Sequence, residues 1–363
     1  MKTPNSHNCF DFLRVFSALA VLYSHSFALI GRPEPQPIAG QSFGSLAVAI
    51  FFAISGFLIC QSWVRDPSPW RFAGRRALRI LPGLLVVVLF TAFLVGPIFT
   101  TLSWQAYFGT NAAWSYIPRT FLFLAVPPLP GLFDANPYPT VNNGSLWTLR
   151  YEILMYAWLA VVGTLLPKAH LKAACNLSFF GFAILWTALL FLDDIPLKVP
   201  FIWRLGTELY LDRIASLGAY LFAGCCLHLY FNKIRFSLLG AGLLIALTAT
   251  VSNNNLVMPI LWIAIPYAAI TFAYQGPTFF QKLSGFDYSY GIYIYAFPVQ
   301  QVLVQIIPNS KENWFVTFAA SILITALLAA ASWHLVERPC LGLKKWLPGP
   351  NPIASDALKS KPA

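Results

Sequence analysis

The chain has 363 residues, of which 58% are hydrophobic, 16% aromatic and only 10% charged. A soluble domain of this size carries about a quarter charged residues, so this composition, with a mean hydropathy of +0.64, excludes one and indicates an integral membrane protein. The net charge of +11 comes from Lys and Arg clustered between apolar runs, a topology signal. No long basic tract exists to hold a duplex, so nucleic acid is not an expected partner.

The N-terminus, MKTPNSHNCFDF, lacks a positive leader region and a small-residue cleavage site, so the first apolar segment is expected to be a retained span. A span needs about 20 predominantly apolar residues. Such segments fall near 10–30, 44–64, 79–100, 147–166, 175–193, 211–230, 236–252, 257–274, 288–308 and 314–336. The fold class expected is all-α, a polytopic membrane protein with about ten transmembrane helices. An eleventh span would require FLFLAV, after Arg119, to cross as well, but Pro127 and Pro128 stop that short run and favour a re-entrant or surface piece.

Placing the N-terminus in the cytoplasm puts seventeen of the 24 lysines and arginines on the inner side, which predicts both termini cytoplasmic. The longest outer loop, about 101 to 146, contains VPPLPGLFDANPYPT, whose prolines exclude a long helix and make a stiff cover. Residues 1–346 are expected to form one membrane domain, with 347–363 a polar, disordered cytoplasmic tail. Cys9, Cys60, Cys175, Cys225, Cys226 and Cys340 show no zinc-ligand spacing, so neither a metal nor a disulfide is expected.

Arg14 and His25 lie eleven residues apart in the first span. That is three helical turns, so both fall on one face about 16 Å apart. Ionisable groups inside a span face a protein interior or a cavity, and neutral imidazole is the usual general base for a hydroxyl nucleophile. Asp11, three residues before Arg14, is placed to hold its guanidinium. Ser55-Gly56 interrupts the aromatic-rich second span and permits close approach of a backbone or a thin ligand arm. Arg75, Arg76 and Arg79 sit at the mouth of the third span, where planar guanidiniums suit the phosphates of a donor such as a coenzyme-A thioester.

At the outer side, NNGSLWTLRYEILMYAW carries Trp147, Arg150, Glu152 and Tyr156, with Glu152 and Tyr156 one turn apart. Arg204, Glu208, Asp212 and Arg213 form a further charged run, read chiefly as mutual pairs. Near the C-terminus YSYGIYIYAFPVQQ and HLVERP add Tyr290, Tyr293, Gln300, Glu337 and Arg338, and Pro298 should kink its helix and free backbone carbonyls.

Taken in order, FDFLRVFSALAVLYSH, FFAISGFLI, RRALRILP, GSLWTLRYEILMY, YSYGIYIYAFPVQQ and VERP resemble the membrane acyltransferase-3 family, bacterial O-acyltransferases that acetylate surface carbohydrates. The resemblance runs from about Phe10 to Pro339. It implies about ten core spans in the bacterial inner membrane, a cytoplasmic acyl-CoA donor and an extracytoplasmic acceptor. It carries the essential arginine and histidine onto Arg14 and His25, the donor-binding arginines onto Arg75, Arg76 and Arg79, and the acid of the fourth span onto Glu152. Many members read Leu-Trp-His-Trp-Pro where this chain has Ile294-Tyr295-Ala296-Phe297-Pro298, so a mechanism using a histidine there does not apply.

The expected activity is transfer of an acetyl group from acetyl-CoA, the co-substrate, to a hydroxyl of a surface glycan or its lipid-linked precursor. His25, Arg14 and Glu152 are the candidate catalytic residues. Arg75, Arg76, Arg79, Ser55 and Gly56 are candidates for the donor. Asp11, Trp147, Arg150, Tyr156, Arg213 and Tyr290 are candidates for the acceptor, with Tyr290 and Ser55 also candidate oxyanion donors. The competing readings are a transporter or lipid flippase, whose charges line a path without making bonds, and a purely structural membrane subunit.

Overall fold

The computed structural model describes residues 8–38, 40–191, 209–282 and 287–348. Among them there is no strand, and ten helices have twelve residues or more. These are α1 (Phe10–Ala28), α2 (Phe43–Arg65), α3 (Pro69–Phe90), α4 (Trp147–Leu165), α5 (Leu171–Leu189), α6 (Leu211–Leu229), α7 (Leu238–Ala249), α8 (Asn254–Gln275), α9 (Ser289–Ile306) and α10 (Trp314–Ser332). Each overlaps one of the ten apolar segments read from the sequence, α3 with the largest displacement. Five stretches are long and apolar enough to cross a membrane, namely Phe43–Arg65, Pro69–Phe99, Lys168–Leu189, Asn254–Gln275 and Trp314–Trp346. The helices α1, α4, α6, α7 and α9 fall outside that set, α7 because it has only twelve residues, and α1, α4 and α9 carry charged or hydrogen-bonding residues of the site described below.

Local chemistry sets the helix starts. Ser42, Ser68 and Ser237 accept from the backbone N–H three residues on, and the Asn253 side chain accepts from Asn255 and Leu256. Pro69 follows the Ser68 cap at the position where a missing N–H costs nothing, so α3 begins ten residues before the expected apolar span at 79. The arginines of that first stretch are therefore helical. Two π-helical turns, Thr91–Val95 and Trp333–Glu337, each precede a proline, Pro97 and Pro339, whose absent N–H disrupts the regular ladder.

The most extensive packing is between α6 and α2, followed by α6 with α5, α9 with α10, and α1 with α2. Two glycines make the α2–α6 crossing possible. A Cβ on Gly56 would stand 1.8 Å from the Leu221 carbonyl oxygen, and one on Gly224 would stand 2.1 Å from that of Ala53. Gly56→Val is therefore expected to separate the two helices. Overpacking typically costs about 1–3 kcal/mol, so the thermal midpoint of the detergent-solubilised protein should fall by several degrees. An unchanged midpoint would refute this account of the crossing.

The 101–146 connection forms two short α-helices, Trp104–Gly109 and Asn111–Phe121, and one 3-10 turn, Gly144–Leu146, and FLFLAV makes no further helix. Asparagine and glutamine side chains fasten this cover to α9. Pro298 denies the Ile294 carbonyl its usual N–H partner, and the Asn143 Nδ2 donates to that oxygen at 2.8 Å. Asn136 donates to the Gln301 backbone oxygen at 2.9 Å, and Gln301 donates in turn to the carbonyls of Tyr138 and Val141. Gln300, named from its sequence position, donates to the Leu22 carbonyl of α1 at 2.9 Å.

Candidate active site

A cavity of about 100 Å³ lies among α1, α2, α3, α4 and α9. Its walls bring together Arg14, Ser55, Arg76, Arg79, Glu152, Tyr156 and Tyr290, seven of the candidate residues, drawn from all five helices. One end is ionic. Arg14 Nη1 lies 3.1 Å from Asp287 Oδ2 and 3.8 Å from Asp11, and Arg79 pairs with the same Asp287 carboxylate. The Ser289 hydroxyl donates to the other Asp287 oxygen. Asp287 thus holds two guanidiniums of like charge on one wall.

The α2–α4 side is a hydrogen-bonded trio. Ser55 Oγ donates to Glu152 Oε1 at 2.9 Å, Tyr156 OH donates to the same oxygen, and the two hydroxyls are 2.6 Å apart. One carboxylate oxygen therefore accepts two hydroxyl protons. Tyr290 OH donates to the Ile80 carbonyl at 2.8 Å, and Tyr293 OH meets Thr148 at 2.7 Å. Arg76 differs from its neighbours. Its guanidinium carbon sits 5.9 Å from the Tyr156 ring centroid and 6.0 Å from that of Phe72. Its buried Nε has no hydrogen-bond partner, and among the described residues no carboxylate pairs with it.

The other candidates stand elsewhere. Arg75 turns to Asp66, with Nη1 to Oδ2 2.5 Å, and Arg71 binds the same carboxylate. The Arg71 hydrogen bond, with Arg75 beside it, holds the Asp66 carboxyl below its ordinary range. Gly56 serves the helix crossing and does not line the cavity. Arg213 lies over the Trp147 ring at 4.6 Å and over Tyr210 at 5.1 Å, away from the cavity wall. Arg150 borders a separate crevice with Thr120, Phe123 and Val126. Arg204 and Glu208 lie outside the described residues.

His25 does not line the cavity. It sits at the last turn of α1, three turns beyond Arg14, with its ring edge-on to Phe297 at 5.2 Å. Its Nδ1 is buried without a hydrogen-bond partner. Glu34 is close enough to act on it electrostatically and accepts a hydrogen bond from Ser24. Phe297 also meets Tyr138 at 6.3 Å and abuts Gly144, so the 101–146 connection closes over this corner. The 294–298 stretch of α9 thus contacts His25 through Phe297.

Sequence reading missed Asp287, Glu34, Asp66 and Thr148. An acid two residues before the apolar run at Ser289 was the only signal for Asp287, and helix starts commonly carry such a residue for capping alone. Glu34, within RPEPQP, belongs to no periodic pattern.

Residues 7–334 match the family described as an acyltransferase domain. The chain belongs to this acyltransferase family. It is 31% identical to an O-acetyl transferase of Shigella phage Sf6, over 91% of this chain and 95% of that protein. It is 27% identical to Nodulation protein 10 of Rhizobium leguminosarum bv. viciae, over 93% of this chain and 94% of that one. No solved structure matches. Family and relative together make this acyltransferase an enzyme of the O-acetyltransferase class.

Proposed function

We propose that this acyltransferase spans the bacterial inner membrane ten times with both termini inside and transfers an acetyl group from cytoplasmic acetyl-CoA to a hydroxyl of an extracytoplasmic glycan or glycolipid. The observation that carries the reading is the pairing of two unsatisfied groups. Arg76 has a buried Nε without a hydrogen-bond partner and makes no ion pair among the described residues, Glu152 acting on it only electrostatically, and the His25 ring has a buried Nδ1 without a partner. A cation without a direct ion pair in a poorly solvated site favours an anionic ligand, and the phosphates of coenzyme A meet that need. Arg14 and Arg79, already paired with Asp287, frame the same wall.

About 16 Å separates Arg14 from His25 along α1, a span suited to an extended pantetheine arm. In the transfer, the acceptor hydroxyl oxygen attacks the thioester carbonyl carbon and His25 takes the hydroxyl proton. The carbon–sulfur bond breaks, and the coenzyme-A sulfur leaves and takes up a proton. Glu34 stabilises the imidazolium formed in between. If His25 instead carries the acetyl group transiently, the same ring nitrogen bonds to the carbonyl carbon first and then yields it to the hydroxyl oxygen. Ser55, Tyr156 and Glu152 form a polar wall beside the thioester's path.

The test is incubation of the purified protein with radiolabelled acetyl-CoA and a glycan acceptor. The expected result is label in ester linkage on the glycan. Folded protein that moves glycan across vesicles without labelling it would establish the transporter reading instead.

A further inference from the structure

The spacing of the cysteines along the chain gives no metal pattern, but the fold gathers three of them. Cys60 of α2, Cys175 of α5 and Cys225 of α6 place their sulfurs all within 4.8 Å of one another, and each residue is wholly buried. Cys175 lies within hydrogen-bonding reach of both of the others. None lines the cavity holding Glu152 and the arginines. We propose that Cys60, Cys175 and Cys225 form a binding site for one copper(I) ion at the junction of α2, α5 and α6.

Three features favour this ion. Thiolate ligands are soft and select copper(I), zinc or iron–sulfur clusters. Zinc in structural sites is almost always four-coordinate, whereas the group here ends at three: no other Cys, His, Asp or Glu among the described residues joins it. The nearby Cys226 sulfur is directed instead to Asn176 Oδ1 at 3.2 Å. The framework is also fixed beforehand. The Gly56 and Gly224 contacts lock α2 against α6, and Cys225 donates to the Gly56 carbonyl at 3.2 Å, so two ligands are positioned by this close crossing.

Binding is coordination only. Each sulfur that binds as thiolate releases its proton, and the metal stays copper(I) throughout. No step of acyl transfer runs through the ion. Its effect is to clip α5 to the α2–α6 pair.

The experiment titrates the full-length, reduced protein in detergent with copper(I) under anaerobic conditions against a chromophoric copper(I) chelator. One equivalent per chain is expected. Cys60→Ser, Cys175→Ser and Cys225→Ser should each weaken binding at least tenfold, while the Cys9→Ser/Cys340→Ser double variant retains it. Because a serine variant that fails to fold would also lose binding, the copper-edge X-ray absorption spectrum of the wild-type protein provides a second measurement, with three sulfur neighbours expected. Absence of a chelator-resistant equivalent, binding that tracks Cys9 or Cys340, or nitrogen and oxygen neighbours would each overturn the assignment. Tighter binding of zinc than of copper(I) would overturn the choice of ion.

Discussion

Replacing His25 with alanine is expected to reduce acetyl transfer by about 10²- to 10⁴-fold, the range that a positioned general base contributes. The side chain has few structural obligations. Its Nδ1 has no hydrogen-bond partner, and its ring contact with Phe297 is of a kind worth about 0.5–1.5 kcal/mol beyond area burial. The thermal midpoint should therefore move little while turnover collapses. Measuring both on the same preparation separates chemistry from folding. Glu34→Gln, which keeps the shape but removes the charge beside the imidazole, should lower turnover less. Full activity in His25→Ala would remove this residue from the reaction and shift attention to the Glu152, Tyr156 and Ser55 trio. Hydroxylamine-sensitive label on the wild-type protein, absent from the alanine variant, would distinguish a covalent acetyl carrier from a base.

Asp287→Ala should act in the opposite pattern, losing stability and donor affinity together. Asp287 is the shared acceptor for Arg14 and Arg79, and the side chains of Arg14 and Asp287 are only 21% and 12% exposed. Removing it leaves Arg79 without its ion-pair partner and Arg14 with only the longer 3.8 Å contact to Asp11, two positive charges in a poorly solvated site. Breaking a buried pair in this way costs about 3–5 kcal/mol. The unfolding midpoint should drop by several degrees, and the KM for acetyl-CoA should rise as the guanidiniums lose their orientation. Asp287→Asn retains a hydrogen-bond acceptor but not the charge and should be intermediate. Wild-type stability and wild-type KM in the alanine variant would show that this carboxylate does not organise the donor end.

Much of this centre was legible in the chain because hydrophobic periodicity fixes helix faces. Arg14 in α1, Ser55 in α2, Arg76 and Arg79 in α3, and Glu152 and Tyr156 in α4 are polar interruptions of apolar stripes, and all six line one cavity. Arg75 shows the limit of that argument. Adjacent residues on a helix point about 100° apart, so Arg75 and Arg76 cannot both face the cavity, and spacing alone does not say which one does. The partner decides: Asp66, in the short connection before α3, captures Arg75 and leaves Arg76 to the interior. Asp287 reaches Arg14 across 273 positions of sequence, a pairing that no local pattern encodes. Gly56 was ambiguous between ligand access and helix contact, and only the position of Leu221 resolves it.

The hydrogen bond from Asn143 to the Ile294 oxygen has a dynamic corollary. A lid that swings must be able to abandon its anchors, yet raising this one would leave an α9 carbonyl bare in a region where water is scarce, a loss of roughly 1–3 kcal/mol for that group alone. Gln301 and Asn136 add further moorings along the same rim. The segment is therefore a rigid roof: its amide protons should exchange on the slow timescale of the helix bundle, and the way to His25 is from the flank and not through this rim.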